Sequence, residues 1–568
     1  MRNKFGYHAE AMKRHHKKNA PAIPHVSAAP VPTAPTSVSL SMQSRADLMA
    51  AASLVLMVFV AFARGLGGEF VIDDVGLIAN NPYLRSGVSL ADIFSNGFWV
   101  FSETPNPVAP MYRPLITLFN LVGFRLWGAS PLPFHVAVLL LHAANAVLVF
   151  MFLRTMVSTQ AALIAAAIFA VSPVRVESVT WISGVPDAVV LFFGLLALFA
   201  HRASVARGRR WLVVPALLCF EMALWSKEVA VAFPLIILAH DAFLTRHGIR
   251  WRNFAAFALL TLLHLSVRAA VLGTGGDLDR VTGPSADRVL DFVIGYAGLL
   301  TLPIHVPFFL TTPNVSVASL SGWMGLLAIV GLYAHLWRTH PDGDRGPIRF
   351  SVAWLLIFMW PAAAVALVEG GYFTARLLYL PAVGFALALA LAYHASFRRF
   401  RVLSVAAGLL VAGYAWLTVV EQRHWLDNER AYLKLTHDDS AAANSFAALG
   451  SHYFERGAYG KAEAAYQKAL DLRPASNVVT SSALTGLGTI KGMAGNLDQS
   501  HDLLQRAIDL NPDSTIAWTS FGNVAWLQNR HGVAADAYRR ALTIQSSNAE
   551  ARTNLNAVMR LQGQSPGR

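Results

Sequence analysis

Charged side chains stand beside several long apolar stretches of this sequence. They are the carboxylates Asp73, Asp74, Glu177, Asp187 and Glu228 and the cations Arg113, Lys227 and Arg376. An ionisable group inside a membrane costs about 2.5–3.5 kcal/mol on insertion scales, so those that persist there are candidates for function. A carboxylate can accept a proton from a hydroxyl group, and Arg or Lys can stabilise a departing phosphate. These residue types suit the transfer of an activated group from a phosphate-bearing donor to a hydroxyl.

The composition places these residues in a membrane protein. Of the 568 residues, 55% are hydrophobic and 14% are charged, against roughly 45–50% and 25% in soluble domains. The net charge of +13 fits basic cytoplasmic loops, and we expect no nucleic-acid partner. Cys219 is the single cysteine, which excludes an intramolecular disulfide and cysteine-based metal sites. We expect no metal site and no cofactor.

Apolar stretches of about 20 residues predict an all-α, polytopic bundle of about eleven spans. They lie near residues 48–66, 133–153, 160–174, 186–203, 211–226, 228–244, 253–272, 320–337, 350–368, 377–396 and 402–420. Two further apolar segments are left out of this count. Residues 113–128 are predicted to lie along the membrane, and residues 289–310, interrupted by Pro303 and Pro307, are predicted to be re-entrant or interfacial.

The distribution of basic residues predicts the orientation of the bundle. Residues 1–45 read as a disordered, basic cytoplasmic tail, and residues 46–420 as the membrane domain. The basic connections 201–210, 246–252, 337–349 and 397–401 should then be cytoplasmic too. An odd number of spans places the C-terminal domain outside the cytoplasm, which means the periplasm of a bacterium or the lumen in a eukaryote.

The C-terminal part of the chain carries an internal repeat. After a predicted connecting helix at residues 421–442, residues 443–562 contain three copies of the tetratricopeptide pattern, and 563–568 form a tail. The first copy has Phe446, Leu449, Gly450, Tyr453, Gly457, Ala462, Tyr466, Ala469 and Pro474 at the expected spacings. Such repeats stack into a superhelix whose concave face commonly binds extended peptides, although a structural spacer is the alternative.

The predicted topology puts nearly all the singled-out charges on the non-cytoplasmic side. The cytoplasmic loops contain no GxxxxGK[ST] phosphate-binding motif. Since no nucleotide pool exists outside the cytoplasm, an activated sugar must arrive there attached to a lipid. One carboxylate base without a carboxylate nucleophile would invert the configuration at the anomeric carbon.

Each of these residues also has a structural interpretation. Asp73 and Asp74 could begin a solvated loop, Lys227 and Glu228 could close a hairpin, and Arg113 and Arg376 could anchor helices at lipid headgroups. His135 and His142 share a helical face, but no other metal-type ligand accompanies them, so packing against neighbouring helices is the usual explanation.

Several separated motifs together resemble one family. They are FVIDDVGLIANNPYLR, MYRPLITLFN, PFHVAVLLLHAANAVLV, FAVSPVRVESVTWISGVPDAV, WSKEVAVAFPLI, ARLLYLPAVGF and QRHWLDNERAYLKL, followed by the repeats. Over about residues 48 to 560 the chain is similar to the transmembrane and tetratricopeptide repeat-containing O-mannosyltransferases, which are GT-C-type glycosyltransferases. The resemblance implies transfer of a mannose-like sugar from a polyprenyl phosphate to Ser or Thr hydroxyls of a protein.

The resemblance also implies roles for individual residues. Asp73 and Asp74 would be catalytic, with Asp73 as the base, and Arg376 would help to hold the lipid phosphate. The other five charged residues are predicted to bind substrate, and the repeats to bind the acceptor or a partner. Two other functions stay open: a non-catalytic membrane anchor that presents the repeats as a scaffold for envelope assembly, and a transporter of lipid-linked sugars.

Overall fold

A computed structural model describes residues 44–102, 111–245, 248–273, 286–308, 310–311, 319–364, 372–396, 402–439, 441–474, 476–546, 548–561 and 563. Nearly all of the predicted tail at 1–45 and of the C-terminal tail at 563–568 lies outside the described residues.

Sixteen α-helices precede Glu421 in the described part of the chain. The first eight are α1 (Arg45–Phe62), α2 (Pro82–Ser86), α3 (Leu90–Ser95), α4 (Pro114–Trp127), α5 (Pro131–Arg154), α6 (Thr159–Val171), α7 (Val176–Val179) and α8 (Pro186–Arg207). The next eight are α9 (Val213–Leu224), α10 (Phe233–Leu244), α11 (Trp251–Leu272), α12 (Ala286–Thr301), α13 (Leu320–Thr339), α14 (Gly346–Ala364), α15 (Pro381–Ser396) and α16 (Val402–Glu421). Two short strands, β1 (Leu310–Thr311) and β2 (Tyr372–Phe373), pair antiparallel, with Leu310 opposite Phe373.

Seven described helical stretches are long and apolar enough to cross a membrane. They are Arg45–Gly67, Pro131–Arg154, Ile182–Arg207, Trp251–Leu272, Leu320–Thr339, Gly346–Ala364 and Val402–Trp425. The pair Thr159–Val171 and Pro173–Val179, bent by 53°, would be an eighth. These stretches confirm a helical membrane protein.

The predicted count of eleven spans exceeds the seven or eight candidate spans found among the described residues. Each of the eleven predicted stretches contains an α-helix, but α9, α10 and α15 have only 12, 12 and 16 residues. At 1.5 Å per residue these helices are about 18–24 Å long, shorter than the ~30 Å of hydrocarbon. The orientation inferred from an odd number of spans therefore stays a prediction.

The two apolar segments left out of the predicted count also form short helices. Helix α4 has 14 residues. Helix α12 has 16 residues and ends before Pro303 and Pro307, which lie in a non-helical segment. Proline removes a backbone donor and clashes with the preceding turn, so the helix does not continue through them.

Small residues allow the helices of the membrane core to approach closely. Helix α6 is rich in alanine and almost wholly buried between α1, α5, α15 and α16. A Cβ atom at Gly384 of α15 would lie 2.9 Å from backbone atoms of α14. Close backbone approach of this kind is how membrane helices gain packing energy, because lipid tails provide no hydrophobic driving force between them.

The repeat region contains eight helices. They are α17 (Asn428–Asp438), α18 (Ala443–Glu455), α19 (Tyr459–Asp471), α20 (Asn477–Met493), α21 (Leu497–Leu510), α22 (Thr515–Leu527), α23 (His531–Ile544) and α24 (Ala549–Leu561). Helices α18 to α23 form three antiparallel pairs, and the first helices of successive pairs contact each other. This arrangement is that of a tetratricopeptide superhelix, whose inner layer consists of the first helices.

The glycines of the repeat pattern stand where the two helices of a pair cross. A Cβ atom at Gly450 would lie 2.7 Å from the ring of Tyr466, and one at Gly522 would lie 2.6 Å from the ring of Tyr538. Both rings are buried. The repeat spacing therefore places a small residue opposite a large one in each of these pairs.

Candidate active site

The chain turns sharply after α1 and presents two adjacent aspartates that differ in their surroundings. Asp74 is fully buried. One of its oxygens accepts the backbone N–H and the hydroxyl of Ser183, at 2.8 and 2.5 Å, and the other accepts the backbone N–H of Val71 at 3.3 Å. Burial raises the pKa of Asp74 to about 7, against the opposing effect of the hydrogen bonds from Ser183. Asp74 therefore fastens this turn to the segment around Ser183.

Asp73 has no such anchoring. It is partly exposed, and no hydrogen bond to its carboxylate occurs among the described residues. Surrounding protein raises the pKa of Asp73, and the positive charge of Arg376 opposes that rise. Of the two predicted catalytic residues, Asp73 is the one whose carboxylate is not engaged in holding the local fold.

The cation that acts on Asp73 is held by a buried carboxylate. Glu177 is 3% exposed and accepts the Thr374 hydroxyl at 2.5 Å and the backbone N–H of Arg376 at 3.0 Å. Nε of Arg376 lies 3.4 Å from the same carboxylate, and its guanidinium lies over the ring of Trp181, 5.1 Å from the centroid. This cation–π contact and the ion pair fix the direction of the guanidinium.

Lys227 and Glu228 are adjacent, but each is paired with a different segment. The Lys227 ammonium lies 2.7 Å from both oxygens of Asp187 at the start of α8. Glu228 accepts two hydrogen bonds from Arg113, at 2.8 and 3.3 Å. Both residues lie in the connection between α9 and α10, and each forms its ion pair with another segment of the chain.

The eight predicted residues form one connected group, which we call the charged cluster. Three ion pairs join Arg376 to Glu177, Lys227 to Asp187 and Arg113 to Glu228. The charge of Arg376 also acts on Asp73 and Lys227, that of Asp187 on Glu177, and that of Arg113 on Lys227. Asp74 joins the cluster through the backbone that it shares with Asp73. The cluster therefore combines three cations with five carboxylates, and all three cations have a carboxylate partner.

The segment between the membrane domain and the repeats contacts the turn at residues 70–74, which we call the aspartate turn. Ile72 has a backbone φ of 52°, which is strained for a β-branched residue. Its N–H donates to Oδ1 of Asn428 at 2.7 Å, and Nδ2 of Asn428 donates to the carbonyl of Phe70 at 3.3 Å. Asn428 is the first residue of α17. The side chain of Asn428 thus holds the strained residue itself and the residue two positions before it.

Trp425 lies in the same connecting segment and stacks on two aromatic rings of the membrane domain. It is 2% exposed. Its ring stacks on Trp181 at 5.5 Å and on Phe308 at 4.1 Å between centroids. The predicted connecting helix at 421–442 consists of the end of α16, a 3-10 turn at Gln422–Trp425, and α17.

Gly184 allows two parts of the cluster to lie against each other. A Cβ atom at this position would collide with the backbone carbonyl of Glu177. Gly184 directly follows Ser183, the donor to Asp74, and stands three residues before Asp187. Only glycine leaves room for this approach.

Sequence reasoning missed the residues that hold the cluster in place. Ser183 and Thr374 fix carboxylates, and Asn428 fixes the aspartate turn. All three lie within or beside the motifs quoted above, but small polar residues in loops are too common to single out. The two histidines that share a face of α5 do not meet: His142 lies within hydrogen-bond distance of the Tyr379 hydroxyl and the Ala170 carbonyl.

The chain is similar to known repeat families and to known membrane proteins. Models of the tetratricopeptide repeat match residues 439–513 and 486–549. Human protein O-mannosyl-transferase TMTC4 is 27% identical over 401 residues, which cover 59% of this chain and 54% of the relative. Mouse protein O-mannosyl-transferase TMTC3 is 23% identical and aligns with 89% of this chain and 65% of its own length. The chain is thus similar, over most of its length, to the TMTC protein O-mannosyl-transferases. The resemblance seen in the sequence motifs is thereby confirmed.

The chain spans between about half and two thirds of the length of these TMTC relatives. Among solved structures, the first repeat domain of Spaghetti (RPAP3) bound to an HSP90 peptide is 23% identical and covers 22% of this chain and 97% of its own, with a TM-score of 0.20. The P58(IPK) repeat domain is 15% identical and covers 66% of this chain and 99% of its own, with a TM-score of 0.23. These scores are too low to bear on function.

Proposed function

We propose that this chain is a glycosyltransferase that moves a mannose-like sugar from a polyprenyl-phosphate carrier to a Ser or Thr hydroxyl of a protein, on the non-cytoplasmic side of the membrane. The similarity to protein O-mannosyl-transferases supports this kind of transfer. The observation that carries the proposal is the carboxylate of Asp73, which accepts no hydrogen bond among the described residues, beside an Asp74 carboxylate that accepts three.

Asp73 acts as the general base of this reaction. Its carboxylate accepts the proton of the acceptor hydroxyl while the hydroxyl oxygen forms a bond to the anomeric carbon. The bond from that carbon to the carrier phosphate breaks at the same time, and its electron pair leaves with the phosphate. Asp74 does not compete for this role, because both of its oxygens accept hydrogen bonds from the protein.

The cations of the cluster stabilise the phosphate as its negative charge grows. Arg376 is the cation that also acts on Asp73, so it brings the base and the leaving group together. Lys227 and Arg113 extend the positive potential. Their carboxylate partners, Asp187 and Glu228, keep them in a fixed geometry in a site where unpaired buried charges would be costly.

The reaction proceeds with inversion at the anomeric carbon. A retaining enzyme needs a second carboxylate as nucleophile. Glu177 and Asp187 are committed to Thr374, Arg376 and Lys227. Asp73 is thus the carboxylate available for a single displacement.

The repeats bring the protein acceptor to the site. The first helices of the pairs form the inner layer, and in tetratricopeptide domains this layer binds extended peptides. Helix α17 packs against α18 and also holds the aspartate turn through Asn428. Helix α17 therefore links the first repeat helix, where the acceptor would bind, to the turn that carries Asp73.

Replacement of Asp73 by Asn tests the base. D73N removes the charge with little change in shape, so we expect transfer from a radiolabelled polyprenyl-phosphate mannose to fall by about 100-fold or more, since general-base catalysis contributes about 10²–10⁴-fold. Asp92 is the matched control. It is an exposed aspartate in the same extramembrane segment, where it caps α3, and D92N should keep normal activity.

The outcomes separate the proposal from its rivals. Normal transfer by D73N would show that Asp73 is not the base. No consumption of any carrier-linked sugar by the unmodified protein, with its fold intact, would favour the membrane-anchored scaffold.

A further inference from the structure

A cavity of about 640 Å³ lies far from the charged cluster. The end of α8, the start of α9 and the start of α11 surround it, and its lining includes Gly208, Val213, Arg250, Arg252 and Asn253. No step of the proposed transfer uses this cavity. Its volume falls within the range of about 300–1,000 Å³ that is typical of ligand sites.

Helix α8 runs from the charged cluster to the cavity, so its length gives the distance between them. Asp187 lies in the first turn of α8, and Ser204, which lines the cavity, lies 17 residues later on the same helix. At 1.5 Å per residue this separation is about 26 Å. Helix α8 belongs to the candidate span Ile182–Arg207, so the cavity and the cluster lie at opposite ends of this span.

Exposed aromatic residues place the cavity at the depth of the lipid headgroups. Trp211 and Trp251 are 62% and 63% exposed, and tryptophan prefers the boundary between hydrocarbon and headgroups. Further along α11, Leu259, Leu262 and Leu263 are 59–68% exposed. These leucines face the hydrocarbon, and the cavity opens beside the tryptophans at one end of them.

The lining of the cavity has a positive charge that favours an anionic ligand. Arg250 and Arg252 contribute cations, and no carboxylate lines the cavity among the described residues. The 22-residue helix α11 begins at the cavity without a side chain capping its N terminus. Uncapped N–H groups and the helix dipole favour an anion at this place, and phosphate is the common one.

The carboxylate close to this lining is already engaged in hydrogen bonds on both of its oxygens. Asp241 accepts the backbone N–H of Arg250 at 3.1 Å. Its other oxygen lies 2.8 Å from a ring nitrogen of His201 and 3.0 Å from one of His240. These hydrogen-bond distances account for the His201–His240–Asp241 group without an ion, and the group fixes the start of α11 to α8 and α10.

We propose that this cavity binds the phosphate-bearing headgroup of an anionic lipid. The arginines and the first N–H groups of α11 contact the phosphate, while the acyl chains lie along the exposed leucines of α11. Basic pockets between helices at a membrane surface are the typical sites for such headgroups. The inference stands independently of the proposed transfer activity.

Binding of a short-chain phosphatidylglycerol to the purified full-length protein tests the site. We expect the R250Q/R252Q double variant to raise the dissociation constant for dioctanoyl phosphatidylglycerol at least tenfold, measured by native mass spectrometry in detergent. The matched control is R338Q. Arg338 is exposed near the end of α13, in another basic connection of the chain, and does not line the cavity. This variant should bind the lipid as the wild type does.

Three further measurements make the outcome decisive. R250K/R252K retains the charges and should retain part of the binding, which also tests the site if the glutamine variant does not fold. Dioctanoyl phosphatidylcholine should bind at least tenfold more weakly. Equal loss in R338Q, or unchanged binding in both double variants, would overturn the proposal. Inorganic phosphate that competes at the same molar concentration as the lipid would assign the cavity to free phosphate instead.

Discussion

Asp73 and Asp74 are identical and adjacent in the sequence, yet their side chains have separate tasks. The difference comes from Ser183, which lies 109 residues away and donates twice to Asp74. Asp74, which accepts three hydrogen bonds, positions the turn, and Asp73 is the residue that we propose as the base. The sequence indicates a candidate acidic pair, but the difference between the two carboxylates depends on a contact between distant segments of the chain.

The link between Arg376 and Asp73 predicts how activity depends on pH. Asp73 must be ionised to accept a proton, so activity falls as the pH drops through its pKa. Burial raises that pKa above its ordinary value and Arg376 opposes the rise. R376Q removes the opposing charge, and the pKa of Asp73 then rises further. We expect the acid limb of the kcat/KM profile to move to higher pH by about one unit or more.

The control for this experiment is a distant arginine. R338Q changes the same charge on the protein without touching the cluster, so its acid limb should coincide with that of the wild type. An R376Q profile that is lower but has its acid limb in the same place would mean that Arg376 acts on the phosphate and not on Asp73.

The hydrogen-bond and ion-pair partners of the site residues were the part of the site that could not be predicted. All eight residues of the charged cluster could be named, because charges beside apolar stretches are costly and therefore conspicuous. Their partners could not. Arg113 meets Glu228 across 115 residues, and Glu177 meets Thr374 across 197. No spacing rule connects positions so far apart.

At the scale of elements, α17 belongs to the repeat region but completes the aspartate turn. N428A removes the hydrogen bonds that the Asn428 side chain makes with the Ile72 amide and the Phe70 carbonyl, and the strained backbone can then relax. We expect the Ile72 amide to exchange its hydrogen faster, and kcat to fall by about 10- to 100-fold, as a displacement near 1 Å at a reactive group would produce. Hydrogen exchange with mass spectrometry and a transfer assay measure the two effects.

N477A is the matched control for this change. Asn477 also opens a repeat helix, α20, and is exposed. It should alter neither measurement. Faster exchange at Ile72 with unchanged kcat would show that the turn tolerates displacement and that Asn428 has only a structural role.

The helix pairs of the repeats predict opposite effects for two glycine substitutions. G522A places a Cβ atom 2.6 Å from Tyr538, whose ring is buried and whose hydroxyl donates to Asn523. Overpacking of about 1–3 kcal/mol should exceed the gain of about 1 kcal/mol in helix propensity, so the free energy of unfolding of the repeats should fall. The urea dependence of hydrogen exchange in α22 and α23 of the full chain measures it.

G532A is the matched change in the same pair. Gly532 lies in α23, and no atom stands within 4 Å of where its Cβ would be. Here the gain in helix propensity is unopposed, and we expect stabilisation of up to about 1 kcal/mol. Equal effects of the two substitutions would contradict the packing explanation.

The repeats were the most predictable elements, and the shorter membrane helices were the least. A fixed spacing of small and large residues defines each repeat pair. Helices α9, α10 and α15 have the apolar composition of spans, but their lengths are set by the turns that lead into the cluster. Hydropathy does not detect those turns, and this is why the predicted number of spans exceeded the number found.

At the scale of the whole molecule, the basic connections predict which side the repeats face. A phosphatase that is active only outside the cytoplasm, fused after Gln564, should be active. The same reporter inserted after Gly343, in the basic connection 337–349, should be inactive. Inactivity of the first fusion, with the protein inserted in the membrane, would place the repeats and the cluster in the cytoplasm and remove the argument for a lipid-linked donor.

The close approach at Gly184 has a consequence for the many chains of this kind that genome sequencing provides. Since any side chain there would drive the Glu177 backbone away from Ser183 and Asp187, a homologue that has lost this glycine can no longer assemble the same constellation. A single position, inspected in an alignment, should therefore help to sort active transferases from relatives that have retained only their architecture.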